Sequence, residues 1–118
     1  MKKTLATVAV ALGLVAFAAT PASAAQKADF SNGYVGAKFE PGGVLETLTV
    51  SDQYSDGMSA VGRVVGYTNW IYASNKKGSS ASVTVNIPEG TWVIIEVCRQ
   101  DVSAGTGLQN CTSASAQA

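Results

Sequence analysis

The side chains able to do chemistry in this sequence are eight acidic residues, eight basic residues and two cysteines, and histidine is absent. Without histidine the chain has no Ser-His-Asp triad, no Cys-His pair and no His-ligated zinc or haem. Paired carboxylates can cleave glycosides without histidine. Here, however, the glutamates are scattered over separate predicted strands and turns: Glu40, Glu46, Glu89 and Glu96. We therefore expect no enzymatic activity and no cofactor.

The segment nearest to a metal motif begins at Asp52 and contains Asp56. An EF-hand loop has carboxylates at alternate positions and a distal glutamate, where this sequence has Arg63. An Asx turn at Asp56-Gly57 explains these residues more simply, because aspartate bonds to its own backbone in tight turns. We therefore predict no metal site.

Residues 1–24 have the features of a secretory signal peptide. Lys2 and Lys3 precede an apolar run over residues 5–19, and the small-residue pattern Ala-Ser-Ala ends at Ala24. The apolar run is shorter than a membrane-spanning helix requires. We therefore expect a cleaved signal, a secreted extracellular protein and no membrane span in the mature form.

Loss of the signal changes the charge of the chain. The formal net charge of zero includes Lys2 and Lys3, so the mature protein is mildly acidic. Nucleic-acid binding normally needs a basic face, so we expect no nucleic-acid partner. Export also places Cys98 and Cys111 in an oxidising compartment, where a disulfide is the usual outcome for two cysteines at this spacing.

Aromatic residues and one arginine give the strongest indication of a binding surface. Trp70 and Tyr72 fall on one face of a predicted strand, with Tyr67 just before them, and Trp92 falls on the opposite parity to its apolar neighbours. Each tryptophan either fills the core or is exposed as a platform for a partner. Arg63 lies in the middle of a predicted strand. Either its aliphatic stem covers apolar surface, or the residue anchors a contact with a partner.

The N-terminal end of the mature chain carries one large apolar residue, Phe30, in a polar context. We expect residues 25–32 to be a flexible arm, which is either a disordered leader or a segment that adds itself as a strand to a partner.

The elements that must position these residues are short strands. Val35, Ala37 and Phe39 alternate with polar residues, Val83 and Val85 do the same, and turn signals such as Pro41-Gly42-Gly43 separate the runs. The sequence predicts an all-β domain over residues 33–112, a small antiparallel β-sandwich or barrel of five to six strands with one disulfide. Residues 113–118 are expected to be a disordered tail.

The mature chain resembles a group of small secreted actinobacterial β-sandwich proteins. The resemblance is carried by the signal ending ATPASA, by LTVSDQYSDGMSAVGRV at residues 48–64, and by GTWVIIEVCR at residues 90–99 with a later single cysteine. Some proteins of this style look like the small adaptor subunit of secreted umbrella toxin particles. The resemblance implies a β-domain that bridges other subunits and carries no catalytic motif.

These observations predict a secreted, non-enzymatic binding module, first of all a protein-binding adaptor or accessory subunit of an extracellular complex. Two alternatives stay open. One is an inhibitor of an extracellular hydrolase, which would present a rigid exposed loop. The other is a carbohydrate- or cell-wall-binding module, which would present exposed aromatic rings to a glycan.

Overall fold

The computed structural model describes residues 25–74 and 76–118, and within these ranges the chain is all-β with eight strands. The predicted signal peptide, residues 1–24, lies outside the described residues. No helix in the described part is long and apolar enough to cross a membrane. In chain order the strands are β1 (Ala28–Ser31), β2 (Val35–Glu40), β3 (Glu46–Asp52), β4 (Ser59–Val64), β5 (Ile71–Tyr72), β6 (Ser80–Val85), β7 (Trp92–Gln100) and β8 (Gln109–Gln117).

The strands form two four-stranded antiparallel sheets. Sheet 1 has the order β1-β2-β3-β6 and sheet 2 the order β5-β4-β7-β8. The chain passes between the sheets three times, after β3, β5 and β6. Strand β2 lies against β7 and β3 lies against β4, so the two sheets pack face to face as a sandwich.

Every second side chain along the strands points inward, and these side chains fill the space between the sheets. The inward side chains of β2, Val35, Ala37 and Phe39, are buried as the sequence predicted, and they meet Ile95 and the other inward residues of β7 in one core cluster. Gly62 of β4 faces the same core, where an added Cβ would lie 2.6 Å from Cγ2 of Val50. The glycine therefore lets the two sheets approach closely within a regular strand.

The strand count differs from the expected five to six for two reasons. The segment after Met58 forms two strands, β4 and β5, separated by a turn in which Gly66 has φ of 84°. In addition, the expected flexible arm contains β1, whose residues pair in register with β2. The arm shows little alternation in the sequence because only Ala28 and Phe30 point inward.

The expected disordered tail at residues 113–118 is also corrected by the structure. Residues 113–117 form the second half of β8, which covers one edge of β7, and Ala116 and Ala118 are buried. Small residues alternate here, with Ala114 inward between Ser113 and Ser115. Because serine and alanine differ little in size and hydropathy, the period of two is hard to recognise in the sequence.

Candidate functional site

The residues that sequence reasoning selected lie mainly on the outer side of sheet 2. On β7 the side chains of Val93, Ile95 and Val97 point into the core, so the alternate side chains point outward. The outward set includes Trp92 and Ile94. We call the outer side of sheet 2 the aromatic face, and its principal residues are Arg63, Trp70, Tyr72, Trp92 and Ile94.

Arg63 and Glu96 form the polar centre of the aromatic face. They are directly paired across the β4–β7 ladder, and Nε and Nη2 of Arg63 donate hydrogen bonds to Oε1 of Glu96 at 3.2 and 3.1 Å. The guanidinium carbon of Arg63 lies 4.4 Å from the ring centroid of Trp70, within the range of a cation–π contact. Arg63 is therefore held in place by a carboxylate and an aromatic ring, and the centre of the face carries no net charge.

The apolar part of the face follows β7 away from this ion pair. Trp92 is 57% exposed and Ile94 is 47% exposed. The N–H of Val65 donates to the carbonyl of Ile94, which places the exposed Val65 beside Ile94. Trp92, Ile94 and Val65 therefore form an exposed apolar strip on the outer side of sheet 2.

Tyr72 and Tyr67 lie at the β5 side of the face. Tyr72 pairs with Val61, which belongs to the outward-pointing set of residues on β4. The side chain of Tyr72 is half exposed. Tyr67 lies in the turn after β4, where its N–H donates to the carbonyl of Val64, and its ring is also exposed. Four of the five predicted surface residues therefore share the outer side of sheet 2, and Tyr67 borders it.

Phe30 is the predicted site residue that the structure places elsewhere. It lies on β1 at the edge of sheet 1, opposite Ala37 of β2, and it packs partly buried against the core. Its ring is therefore part of the sandwich in this conformation and is not carried on a free arm.

The disulfide between Cys98 and Cys111 is confirmed. It joins β7 to β8 at the point where the register shifts between Val97 and Arg99. The cysteines also lie near Glu96, close enough for the three residues to resemble a metal-ligand group. Because both sulfur atoms are bonded to each other, they cannot act as thiolate ligands.

Arg99 anchors a second polar cluster beside the disulfide. Its Nη1 lies 2.5 Å from Oδ2 of Asp56, its Nε donates to Oδ1 of Asn110, and its guanidinium lies 4.1 Å from the ring centroid of Tyr34. Asp56 also accepts a hydrogen bond from the N–H of Met58, which is the expected Asx turn. The cluster is mostly buried and ties the loop after β3 to β8, so its geometry is structural.

Sequence reasoning missed two buried carboxylates on β3. Glu46 is fully buried, and its Oε1 accepts the N–H of Ile87 at 2.8 Å. Asp52 is almost fully buried, and its Oδ1 accepts the N–H of Tyr54. In each residue the second carboxylate oxygen has no hydrogen-bond partner among the described residues. Burial, together with the nearby charge of Asp56, raises the pKa of Asp52, although the hydrogen bond from Tyr54 acts in the opposite direction.

The described part of the chain has no pocket that could enclose a small molecule. No known protein family matches the sequence, and no curated protein or solved structure is significantly similar to it.

Proposed function

We propose that this protein is a secreted, non-enzymatic binding module whose aromatic face docks onto an extracellular protein, as an adaptor or accessory subunit does. The observation that carries the proposal is the exposed strip of Trp92, Ile94 and Val65 beside the Arg63–Glu96 ion pair. Tryptophan and arginine are the residue types most enriched at the energetic centres of protein interfaces.

The shape of the face favours a macromolecule over a small ligand. Small-molecule sites are usually concave and enclose most of the ligand, whereas this face is the outer surface of a sheet. A protein partner can cover an exposed apolar strip and remove it from water, which supplies the free energy of binding. The internally paired Arg63 and Glu96 bring no net charge into such an interface.

The spacing of the exposed rings favours a protein over a glycan. Tyr72 pairs with Val61 of β4, which pairs with Cys98 of β7. Trp92 therefore lies six residues along β7 from the level of Tyr72, a distance of about 20 Å. The branched side chain of Ile94 lies between them, and Arg63 occupies one side of the Trp70 ring. A sugar-binding platform normally presents free rings for stacking, so we keep the glycan as an outcome of the test.

The experiment is a pull-down from culture supernatant of the source organism with tagged residues 25–118, followed by affinity measurement with the purified partner. We compare Trp92→Ser with Val102→Ser as a matched control, because Val102 is 51% exposed but lies in the β7–β8 loop. Trp92→Ser is expected to weaken binding by more than about tenfold, the effect of a central interface residue, whereas Val102→Ser leaves the affinity unchanged.

Three results would overturn the proposal. The protein returns no partner at micromolar concentration, or the two variants weaken binding equally, or a panel of glycans quenches tryptophan fluorescence while no protein partner is found. The last result would assign the face to carbohydrate binding.

A further inference from the structure

The two lateral sides of the sandwich differ in how they are closed. On one side, Gln26 and Gln117 exchange both backbone hydrogen bonds, at 2.9 and 3.0 Å, and the side chain of Asn32 donates to the carbonyl of Asn110. These contacts join the edge strands β1 and β8. On the other side, β6 is the outer strand of sheet 1. The two-residue strand β5 of sheet 2 lies beside it, but no strand among residues 25–74 and 76–118 pairs with β6 through backbone hydrogen bonds on the side away from β3.

The free backbone groups of β6 can be assigned from its pairing with β3. The N–H of Asp52 donates to the carbonyl of Ser79, so the odd-numbered residues of β6 direct their backbone groups toward β3. The N–H and C=O groups of Ser80, Ser82 and Thr84 therefore point away from sheet 1. They form an edge to which another strand can add.

Strand β6 lacks the features that usually protect an edge. Its sequence, SASVTV, contains no charged residue and no proline, and its pairing with β3 is regular over all six residues. Natural edge strands are commonly interrupted by lysine, by proline or by a bulge. In sheet 2, by comparison, the edge strand β5 is only two residues long.

The core is also incompletely covered along β6. The inward residues of β3, Leu48 and Val50, are fully buried, whereas the inward residues of β6 are only partly buried. These are Ala81, Val83 and Val85. An additional strand at this edge would remove part of their apolar surface from water.

We infer that two copies of this chain pair through β6 in antiparallel orientation, making sheet 1 of each copy half of one continuous eight-stranded sheet. A two-fold axis perpendicular to the sheet keeps outward residues opposite outward residues. A register centred on Val83 places Ser82 opposite Thr84 and opposes only uncharged residues within the strands.

Charge complementarity favours a second copy of this chain as the partner of β6, and it favours the register centred on Val83. Lys77 precedes β6 and Glu89 follows it, and both are exposed. In the register centred on Val83, Lys77 of each copy comes to the end of the partner strand from which Glu89 extends. The symmetry therefore creates two pairs of opposite charge, one at each end of the joint.

The dimer has a geometric consequence that does not depend on the proposed function. Both copies of sheet 2 lie on the same side of the joined sheet, so the two aromatic faces point in the same direction. A repetitive or dimeric partner could engage both faces, and the second contact would then be intramolecular.

The test is sedimentation of residues 25–118 up to about 100 µM, a range that covers weak homodimers. The wild type is expected to dimerise. Thr84→Pro removes an N–H that points away from β3, so it should abolish the dimer, whereas Thr84→Ser should retain it. Circular dichroism checks that Thr84→Pro is folded.

Charge reversal provides a test that does not disturb the strand. Lys77→Glu is expected to weaken dimerisation by about tenfold, because it creates two like-charge contacts, and Lys77→Glu with Glu89→Lys should restore it. A protein that stays monomeric throughout the range overturns the inference. So does a dimer whose affinity is unchanged by both Thr84→Pro and Lys77→Glu.

Discussion

Arg63 lies directly across the β4–β7 ladder from Glu96, and two of its guanidinium nitrogens donate hydrogen bonds to the same carboxylate oxygen. The same guanidinium lies against the ring of Trp70. A planar fork can make both contacts at once, whereas the ammonium group of lysine has neither the fork nor the flat surface. The arrangement therefore depends on arginine and not simply on a positive charge.

We predict that Arg63→Lys destabilises the protein by about 0.5–1 kcal/mol, the range of partly exposed ion pairs. Both side chains are about one-third exposed, which limits the effect. A double-mutant cycle with Arg63→Ala and Glu96→Ala, measured by urea unfolding, should give a coupling energy of similar size. A coupling near zero would show that the pair contributes nothing to stability.

The disulfide should stabilise the fold by restricting the unfolded chain. Cys98 and Cys111 are 13 residues apart, and a closed loop of this length corresponds to about 3 kcal/mol. Reduction of the wild type should therefore lower the free energy of unfolding by about that amount. The variant Cys98→Ala with Cys111→Ala serves as the control, because reductant should leave its unfolding midpoint unchanged. An equal response of both proteins to reductant would contradict the prediction.

Glu46 should be required as a hydrogen-bond acceptor and not as a charge. Its Oε1 satisfies the buried N–H of Ile87. Glu46→Ala would leave that N–H unpaired and open a cavity, at a cost of about 2–4 kcal/mol. Glu46→Gln retains an acceptor oxygen and should be close to the wild type in free energy of unfolding. If the two variants are equally destabilised, the charge is the important property.

The position of Glu46 also shows how far sequence reasoning can go in this protein. Alternation correctly predicted the buried face of β2, where apolar side chains mark one parity. On β3 the same alternation contains Leu48 and Val50, and extending it by two residues in either direction reaches Glu46 and Asp52. The alternation therefore indicates that both carboxylates are buried. This was missed because charged residues are usually assigned to the surface.

Other features depend on contacts that are distant in the sequence. Alternation predicted that Trp92 lies opposite in parity to the core residues of β7, but it could not determine which side of β7 is covered. That is decided by the packing of sheet 1 against one side only. Likewise, β1 and the second half of β8 have few large apolar residues, and they are ordered by backbone pairing with β2 and β7.

The C-terminal residues should be essential for stability. Removal of residues 113–118 would take away Ala116 and Ala118 from the core, and the backbone partners of Gln26 and Thr91. We expect this deletion to lower the free energy of unfolding by more than about 3 kcal/mol, because buried backbone groups of β7 lose their partners. Circular dichroism during heating measures the effect.

Ser113→Ala with Ser115→Ala is the matched control for the deletion. Both serines are exposed on the outward side of β8, so the substitutions keep the strand and should leave the melting temperature nearly unchanged. A deletion variant that melts at the wild-type temperature would show that the second half of β8 contributes little to the fold.

Asp52 should make stability depend on pH in the direction opposite to that of a typical ion-paired aspartate. Burial raises its pKa above the ordinary value of 3.8, so the folded state holds the proton more tightly than the unfolded state does. The stabilising contribution of the protonated carboxyl is complete below pH 3.8 and is lost as the pH rises through the raised pKa.

Asp52→Asn removes the buried charge and retains an oxygen that can accept the N–H of Tyr54. Relative to the wild type, the variant should be more stable at about pH 7 and similar in stability at about pH 3, where the wild-type carboxyl is protonated. Urea unfolding of both proteins at the two pH values measures the difference. A variant less stable than the wild type at neutral pH would mean that the ionised carboxylate makes a favourable interaction that outweighs its burial.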